Sequence, residues 1–452
     1  MTTTRVDLII IGTGSAAQTV ATICRQAGWR IAMGDELPFG GTCALRGCDP
    51  KKVLVAVADL VDWSRRMQGK GVSTPALSIR WPDLIGFKHT FTDAVPKQTE
   101  HDFREAGIHQ WHGHARFVDP TSIRVGQETF VGRHVLIATG ARPAPLGIAG
   151  EQWLTTSTQF LERETLPQRI VFVGGGYIAF EFAQIAACAG SQVQILHRGP
   201  HPLKRFDPDL VAQLVQSLQE LGMKVQCKTA VCAIERRENG LFVHSRREDR
   251  DEEVIEADLV VHAAGRVPHI DDLDLEKAGI AYGSEGIKVN DCLQSVSNEA
   301  IYAAGDAVAS GGFPLTPVAE MQGEIVAKNL LEGKRSRPNY TGIPNVVFTT
   351  PPLSRVGLDE QMARAQGLHF RVQSQQTGHW FSTRHVGLSH TGFKILIEDG
   401  TERILGAHLL GPHADELINL FALALRFGLG ARALRELVPA YPTSASDLRS
   451  ML

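Results

Sequence analysis

Cysteine is scarce in this sequence. Seven residues in 452 are too few for a disulfide scaffold. The expectation is a cytoplasmic protein whose structural thiols stay reduced. Long apolar runs are missing as well, and nothing approaches the ~20 residues of a membrane span. The opening MTTTRVDLIIIGTG holds an apolar run of only about five residues before glycine and threonine, so it reads as a first strand and not as a signal peptide. Charge of one sign is also lacking. A formal net charge of -3 without a basic tail gives no reason to expect nucleic acid as a partner. Hydrophobic content of 43% is that of a globular protein, and the length predicts about two to four domains.

What is present is concentrated around Gly40 to Lys52, GGTCALRGCDPKK, where Cys43 and Cys48 stand with four residues between them and glycines on both sides. On a regular helix positions i and i+5 do not stack. A tight or irregular first turn can still join two sulfurs, provided the Cα atoms come within about 4.4–6.8 Å. A cysteine near a helix N-terminus has its thiolate favoured. The expectation is a redox-active dithiol. Two core cysteines, or two metal ligands, remain open on this stretch alone. The other five cysteines, Cys24, Cys188, Cys227, Cys232 and Cys292, lie scattered in apolar or mixed segments and are expected to be inert.

Val6 to Ile11 is a nearly continuous apolar run, as in a parallel strand buried on both faces. It enters Gly12-Thr13-Gly14-Ser15-Ala16-Ala17, a helix-compatible run to Ala27, a second strand at Arg30 to Met33, and then Asp35. This is the dinucleotide fingerprint in context. Gly12 permits the turn, Gly14 admits a pyrophosphate, Ala17 allows close helix packing, and Asp35 can accept a ribose hydroxyl. Lys51 to Asp62 then shows helical periodicity. Lys51 at its start suggests a paired or cofactor-facing lysine, whereas Lys52 is expected to be solvated. WHGH at 111–114 is read as turn or surface histidines, with no metal site expected.

A second unit repeats the pattern. Arg169 to Val173 leads into Gly174-Gly175-Gly176-Tyr177-Ile178-Ala179, again GxGxxA through Gly174, Gly176 and Ala179. A helix to Cys188 and a strand from Gln192 to Leu196 follow. No acid ends that strand. His197 and Arg198 stand there, with Lys204 and Arg205 close behind. An acid suits a free ribose 2′-hydroxyl and a cation suits a 2′-phosphate, so the pair of units predicts FAD in the first and NADPH, rather than NADH, in the second. Beside a dithiol this makes a circuit from nicotinamide through flavin to disulfide.

Further on, Asp306 ends a short strand where a carboxylate can meet a ligand hydroxyl. Leu315 to Leu331 reads as a helix whose N-terminus could face the flavin. Arg335 to Gly342 reads as a linker. GFKILIEDGTERILGAHLLG at 392–411 reads as a hairpin turning at Asp399-Gly400, and Ala414 to Leu429 as an apolar helix. The expected fold is α/β with a C-terminal α+β domain: 1–145 for FAD and the dithiol, 146–268 for NAD(P)H, 269–337 completing the FAD site, and 338–452 for dimerisation.

These motifs, GGTCxxxGCxPKK, ATG at 138–140, GGGYIAxE, GRxP, AAGD and VFTxPP, resemble those of the pyridine nucleotide-disulfide oxidoreductases of the glutathione reductase, dihydrolipoamide dehydrogenase and mercuric reductase type, over essentially the whole length. The resemblance implies Cys48 as the flavin-side thiol and Cys43 as the thiol that meets substrate. It implies Lys51 paired to Glu181 near the flavin, Tyr177 covering the nicotinamide pocket, and Asp306 holding the ribityl chain. Gly41, Thr42, Thr139, Gly140 and Gly265 fall in its cofactor-binding motifs. Arg198 and Lys204 fall where its NADPH users hold the 2′-phosphate. It also implies a homodimer in which each site is completed by the partner.

The departures bear on the acceptor. Where members acting on glutathione or lipoamide carry His-Pro-Thr-x-x-Glu, this chain has Tyr441-Pro442-Thr443-Ser444-Ala445-Ser446. Tyrosine, with a reference pKa near ~10, is a poor base at neutral pH. Asp447 is one residue off, turned by about 100° on a helix. The tail lacks the cysteine pair of mercuric reductases. Arg46 and Asp49 enter the dithiol loop with opposing effects on a thiolate. The expected activity is NADPH-dependent reduction of a disulfide or other soft electrophile through Cys43 and Cys48. The alternatives are a quinone, metal-ion or oxygen reductase working directly from the flavin, or a binding role with structural flavin.

Overall fold

The computed structural model describes residues 2–73, 77–248, 252–333 and 336–452. It divides into two compact units. One comprises Met1–Pro50, Phe87–Ala144 and Arg266–Tyr340, and the other Lys51–Gly86, Pro145–Gly265 and Thr341–Leu452.

The first unit is built on a parallel sheet in the order His109–His112, Ile31–Asp35, Thr2–Ile11, Glu128–Ile137, Ile301–Ala303. Ser122–Val125 and Ala115–Asp119 extend antiparallel from Glu128–Ile137. The central strand shows why its sequence is continuously apolar. Ile9 and Ile11 face one core, and Leu8 and Ile10 face another on the opposite side. Alternate side chains point to opposite faces, so a sheet covered on both sides needs apolar residues at every position. The helix Ser15–Gln26 follows, burying Ala16, Ala17, Val20, Ala21 and Cys24 as one stripe. The second strand ends at Asp35 and so includes it.

The second unit repeats this logic. Its parallel sheet runs Lys224–Gln226, Gln192–Leu196, Arg169–Val173, Leu259–His262. In Arg169–Val173, Ile170 and Phe172 enter one core while Val171 and Val173 enter another. The C-terminal part is an antiparallel sheet in the order Asn345–Val347, Leu353–Gly357, Ile404–Leu410, Gly392–Glu398, Phe370–Gln376. The hairpin expected at 392–411 is its Gly392–Glu398 and Ile404–Leu410 pair. The helix Ala414–Phe427 buries Leu417, Ile418 and Phe421 and leaves Leu423 and Phe427 exposed. Lys394 ties the sheet to the nucleotide half. Its ammonium lies 2.8 Å from Asp207, which caps the helix Pro208–Glu220, and 3.0 Å from Glu360. The fold is α/β with a C-terminal α+β part, as the motifs imply. Of the expected linker, Arg335 lies outside the described residues and 336–342 is irregular. Among the described residues no helix is long and apolar enough to cross a membrane.

Candidate active site

The dithiol is made by a broken helix. Gly41–Arg46 forms one short helix, Gly47 leaves helical geometry, and a new helix, Cys48–Arg66, starts at Cys48 itself. The break answers the i,i+5 difficulty, because the two cysteines belong to different helices. Both are free cysteines, and their side chains are close enough to interact across the break. Cys48 Sγ also lies 3.5 Å from Thr316 Oγ1, at the first residue of the helix Thr316–Glu332. Cys43 Sγ donates to Asp49 Oδ1 at 3.9 Å. The Cys43 thiol is pushed well above its ordinary range by its hydrogen bond with Cys48 and by burial, and the Asp49 charge adds to this. Cys48 occupies the N-terminal position where helix peptide dipoles favour a thiolate. Thr316 and the Cys43–Asp49 contact were not anticipated from sequence.

The loop that meets the dithiol segment is shaped for close approach. Gly12 has φ +108°, and a Cβ there would run into the Ala138 carbonyl. Gly41 has φ +74°, and a Cβ there would collide with the Gly14 backbone. Gly14 caps the helix Ser15–Gln26, so unpaired N–H groups of the first turn face the space beyond it. Asp35 braces this loop. Its Oδ2 accepts from Thr13 N at 3.0 Å and Thr13 Oγ1 at 2.9 Å, and its Oδ1 accepts from Leu37 N at 3.0 Å. A carboxylate has about four acceptor positions, so capacity for a ribose hydroxyl remains. Thr139 Oγ1 is buried with no hydrogen-bond partner among the described residues, and Gly140 follows it. Burial lifts the Asp306 carboxyl above its ordinary range, with Arg266 opposing the shift. A glycine-lined cradle, an orphaned hydroxyl and a half-buried acid fit a dinucleotide with a hydroxylated chain. Thr42 is exposed on the short helix. Arg46 is half-buried in the field of Asp35 and Arg266.

In the second unit Gly174 has φ +126° and packs against the Ala263 carbonyl, and Gly176 caps the helix Tyr177–Cys188. Ala179 is fully buried in the first turn of that helix. Tyr177 donates its hydroxyl to Asn345 Oδ1 at 2.5 Å and meets Phe206 edge-on. One turn on, Glu181 lies 3.0 Å from Lys51. The same Glu181 oxygen accepts the Phe348 N–H at 2.8 Å, while Lys51 sits over the Phe348 ring at 4.1 Å. Lys52, expected to be solvated, lies over that ring at 4.0 Å and 3.8 Å from Asp415, with half its side chain still exposed. Periodicity alone could not show this, because both partners lie about 300 residues or more away along the chain. Arg198 and Lys204 are exposed after the strand Gln192–Leu196, and Gly265 precedes the strand Arg266–Pro268.

Tyr441 is 80% exposed. Asp447 is directed elsewhere, accepting from the Ser382 hydroxyl, and Ser446 closes its own turn on Thr443. The expected turn histidines have carboxylate partners: His112 lies 3.4 Å from Glu100, and His114 lies 2.9 Å from Glu36. Burial pushes the Cys24 and Cys188 thiols up to about 12.

Residues 6–323 match the family described as pyridine nucleotide-disulphide oxidoreductase, and residues 343–452 match its dimerisation domain. A glutathione reductase of Burkholderia cepacia is 31% identical over 98% of this chain and 97% of its own length. A mercuric reductase of Staphylococcus aureus is 31% identical over 98% of this chain and 81% of its own length. The Cu(II) complex of RclA, an HOCl-induced flavoprotein disulfide reductase from Escherichia coli, superposes with a TM-score of 0.87 at 29% identity, covering 99% of this chain and 98% of that one. These relatives support electron transfer from NAD(P)H through FAD to a disulfide, and the route working directly from the flavin is not favoured.

Proposed function

Because the chain belongs to the pyridine nucleotide-disulphide oxidoreductase family, we propose that it is an NADPH-dependent reductase that delivers electrons through Cys48 and Cys43 to a disulfide or another soft electrophile. The observation that carries this reading is the juxtaposition of the two cysteines across the helix break, with Cys48 at the N-terminus of a 19-residue helix. FAD, when bound, supplies two-electron transfer between a nicotinamide and a disulfide. The Gly12–Gly14 loop, Asp35, Gly41, Thr42, Thr139, Gly140 and Asp306 would hold it. Gly174, Gly176, Ala179 and Gly265 would line the nicotinamide dinucleotide site, Arg198 and Lys204 would hold a 2′-phosphate, and Tyr177 would cover the nicotinamide pocket.

Cys48 keeps its negative charge through the helix N-terminus and the Thr316 hydroxyl. Cys43 is the sulfur that attacks. Tyr441, in the position of the family histidine, is suited to donating a hydrogen bond and not to removing a proton. Efficient turnover of glutathione or lipoamide disulfide is therefore not expected. Thiophilic metal ions belong among the acceptors to be tested, since a mercuric reductase is among the relatives. The exposed Leu423 and Phe427 within the matched dimerisation domain support a homodimer, and the working location is the cytoplasm.

The test is anaerobic stopped-flow with NADPH followed by a panel of disulfides, quinones and thiophilic metal ions. Cys43→Ser should lose turnover of the true acceptor by about 100-fold or more while its flavin is still reduced by NADPH. Full retention of that turnover in Cys43→Ser would overturn the reading.

A further inference from the structure

We propose that Asp49 positions the proton of the reduced dithiol on Cys43, so that the thiolate is confined to Cys48. The inference rests on the redox reading of the pair, and it concerns a residue that matches no motif of the chain.

The geometry is asymmetric. Cys43 Sγ donates to Asp49 Oδ1 at 3.9 Å, whereas Cys48 Sγ has Thr316 Oγ1 at 3.5 Å. A carboxylate only accepts, so the Cys43 contact exists when that sulfur carries its proton. A hydroxyl can donate, so the Cys48 contact survives when that sulfur is anionic. Carboxylic acids as a class are far stronger acids than thiols, so the carboxylate accepts this hydrogen bond without removing the proton. Its charge therefore opposes a thiolate on Cys43 and leaves the proton there. Of the groups acting on Cys43, Cys48 and Asp49 hold the proton there, while the Thr316 hydroxyl, which reaches this sulfur as well, works in the opposite direction. Arg46, which might offset Asp49, is instead in the field of Asp35 and Arg266. Helix dipoles add to the asymmetry, since Cys48 opens the 19-residue helix.

The step balances. Breaking the Cys43–Cys48 bond consumes two electrons from NAD(P)H and one proton. The proton ends on Cys43 Sγ and the negative charge on Cys48 Sγ. Attack on an acceptor then requires that proton to leave, and no histidine occupies the family position to receive it. Asp49 thus makes Cys43 a slow nucleophile at neutral pH and a faster one as the pH rises.

The experiment is alkylation of the FAD-loaded enzyme with iodoacetamide between pH 6 and 10, after reduction by a phosphine, with the Cys43 and Cys48 peptides quantified separately by mass spectrometry. Asp49→Asn should move the Cys43 midpoint down by about one pH unit, which is about 10-fold faster labelling at neutral pH. The Cys48 profile should stay in place, and Asp49→Glu should restore the original Cys43 profile. Coincident Cys43 profiles for wild type and Asp49→Asn would overturn the proposal. Repeating the reduction with NADPH separates the two readings. If the phosphine exposes both thiols and NADPH does not, the electron path is wrong while the Asp49 result stands.

Discussion

Glu181 Oε1 is shared by two donors, the Lys51 ammonium at 3.0 Å and the Phe348 backbone N–H at 2.8 Å. Both charged side chains are nearly buried, at 10% and 7% exposure. Removing one partner strands a buried charge, which costs roughly 3–5 kcal/mol, whereas replacing both with apolar groups is often neutral. Lys51→Met should therefore destabilise the FAD-loaded protein by that amount in urea unfolding. Lys51→Met with Glu181→Leu should recover most of the loss. A double variant no better than the single one would show that the pair is not the source of the effect.

Tyr177 is held by Asn345, and the Asn345 amide nitrogen has no partner among the described residues. If the ring must swing aside for a nicotinamide, that hydrogen bond opposes binding by about 0.5–1.5 kcal/mol. Tyr177→Phe should bind NADP+ more tightly by roughly 2- to 10-fold, read by calorimetric titration. Unchanged or weaker binding would remove Tyr177 from the pocket.

Arg198 and Lys204 are exposed and close in sequence after a strand that ends without an acid. Hydrogen bonds to charged groups contribute about 1.5–3 kcal/mol. Replacing both by alanine should lower kcat/KM for NADPH by at least ~10-fold and leave that for NADH nearly unchanged. Equal losses with both nucleotides would argue against recognition of a 2′-phosphate.

Burial pushes His408 down to about 4 from its ordinary 6.5. Its Nε2 lies 3.0 Å from the Leu358 carbonyl, which can only accept, so Nε2 carries the proton and the buried ring is neutral. As pH falls below 6.5 the unfolded chain takes up a proton that the folded chain refuses. Stability should decline between those two values, by on the order of 3 kcal/mol, and not further through this group. His408→Gln should flatten that part of the urea midpoint against pH. An identical slope would place the acid sensitivity elsewhere.

Much of this was legible in sequence for a local reason. Each nucleotide loop needs glycines within a few residues of an apolar strand, as at Gly12 after Ile11 and Gly174 after Val173, and strand, turn and helix are all encoded contiguously. What could not be read are contacts between distant segments. Thr316 is 268 residues from Cys48, and Asn345 is 168 from Tyr177, and neither position carries a pattern that names its partner. The Asp49 contact is local, yet it needs the helix break at Gly47, which composition does not announce. Lys52 looked solvated because Phe348 and Asp415 reach it only in the folded chain.

Gly41 has no room for a side chain because Gly14 is already there. The dithiol segment and the nucleotide loop are therefore not interchangeable parts. A redesign that imports a foreign dithiol loop must bring residues 12–14 with it or accept whatever spacing the old pair dictates. Even Gly41→Ala is expected to yield a colourless protein. New acceptors are better sought by altering Asp49 or the surroundings of Cys43, where a side chain can change without prising the two glycines apart.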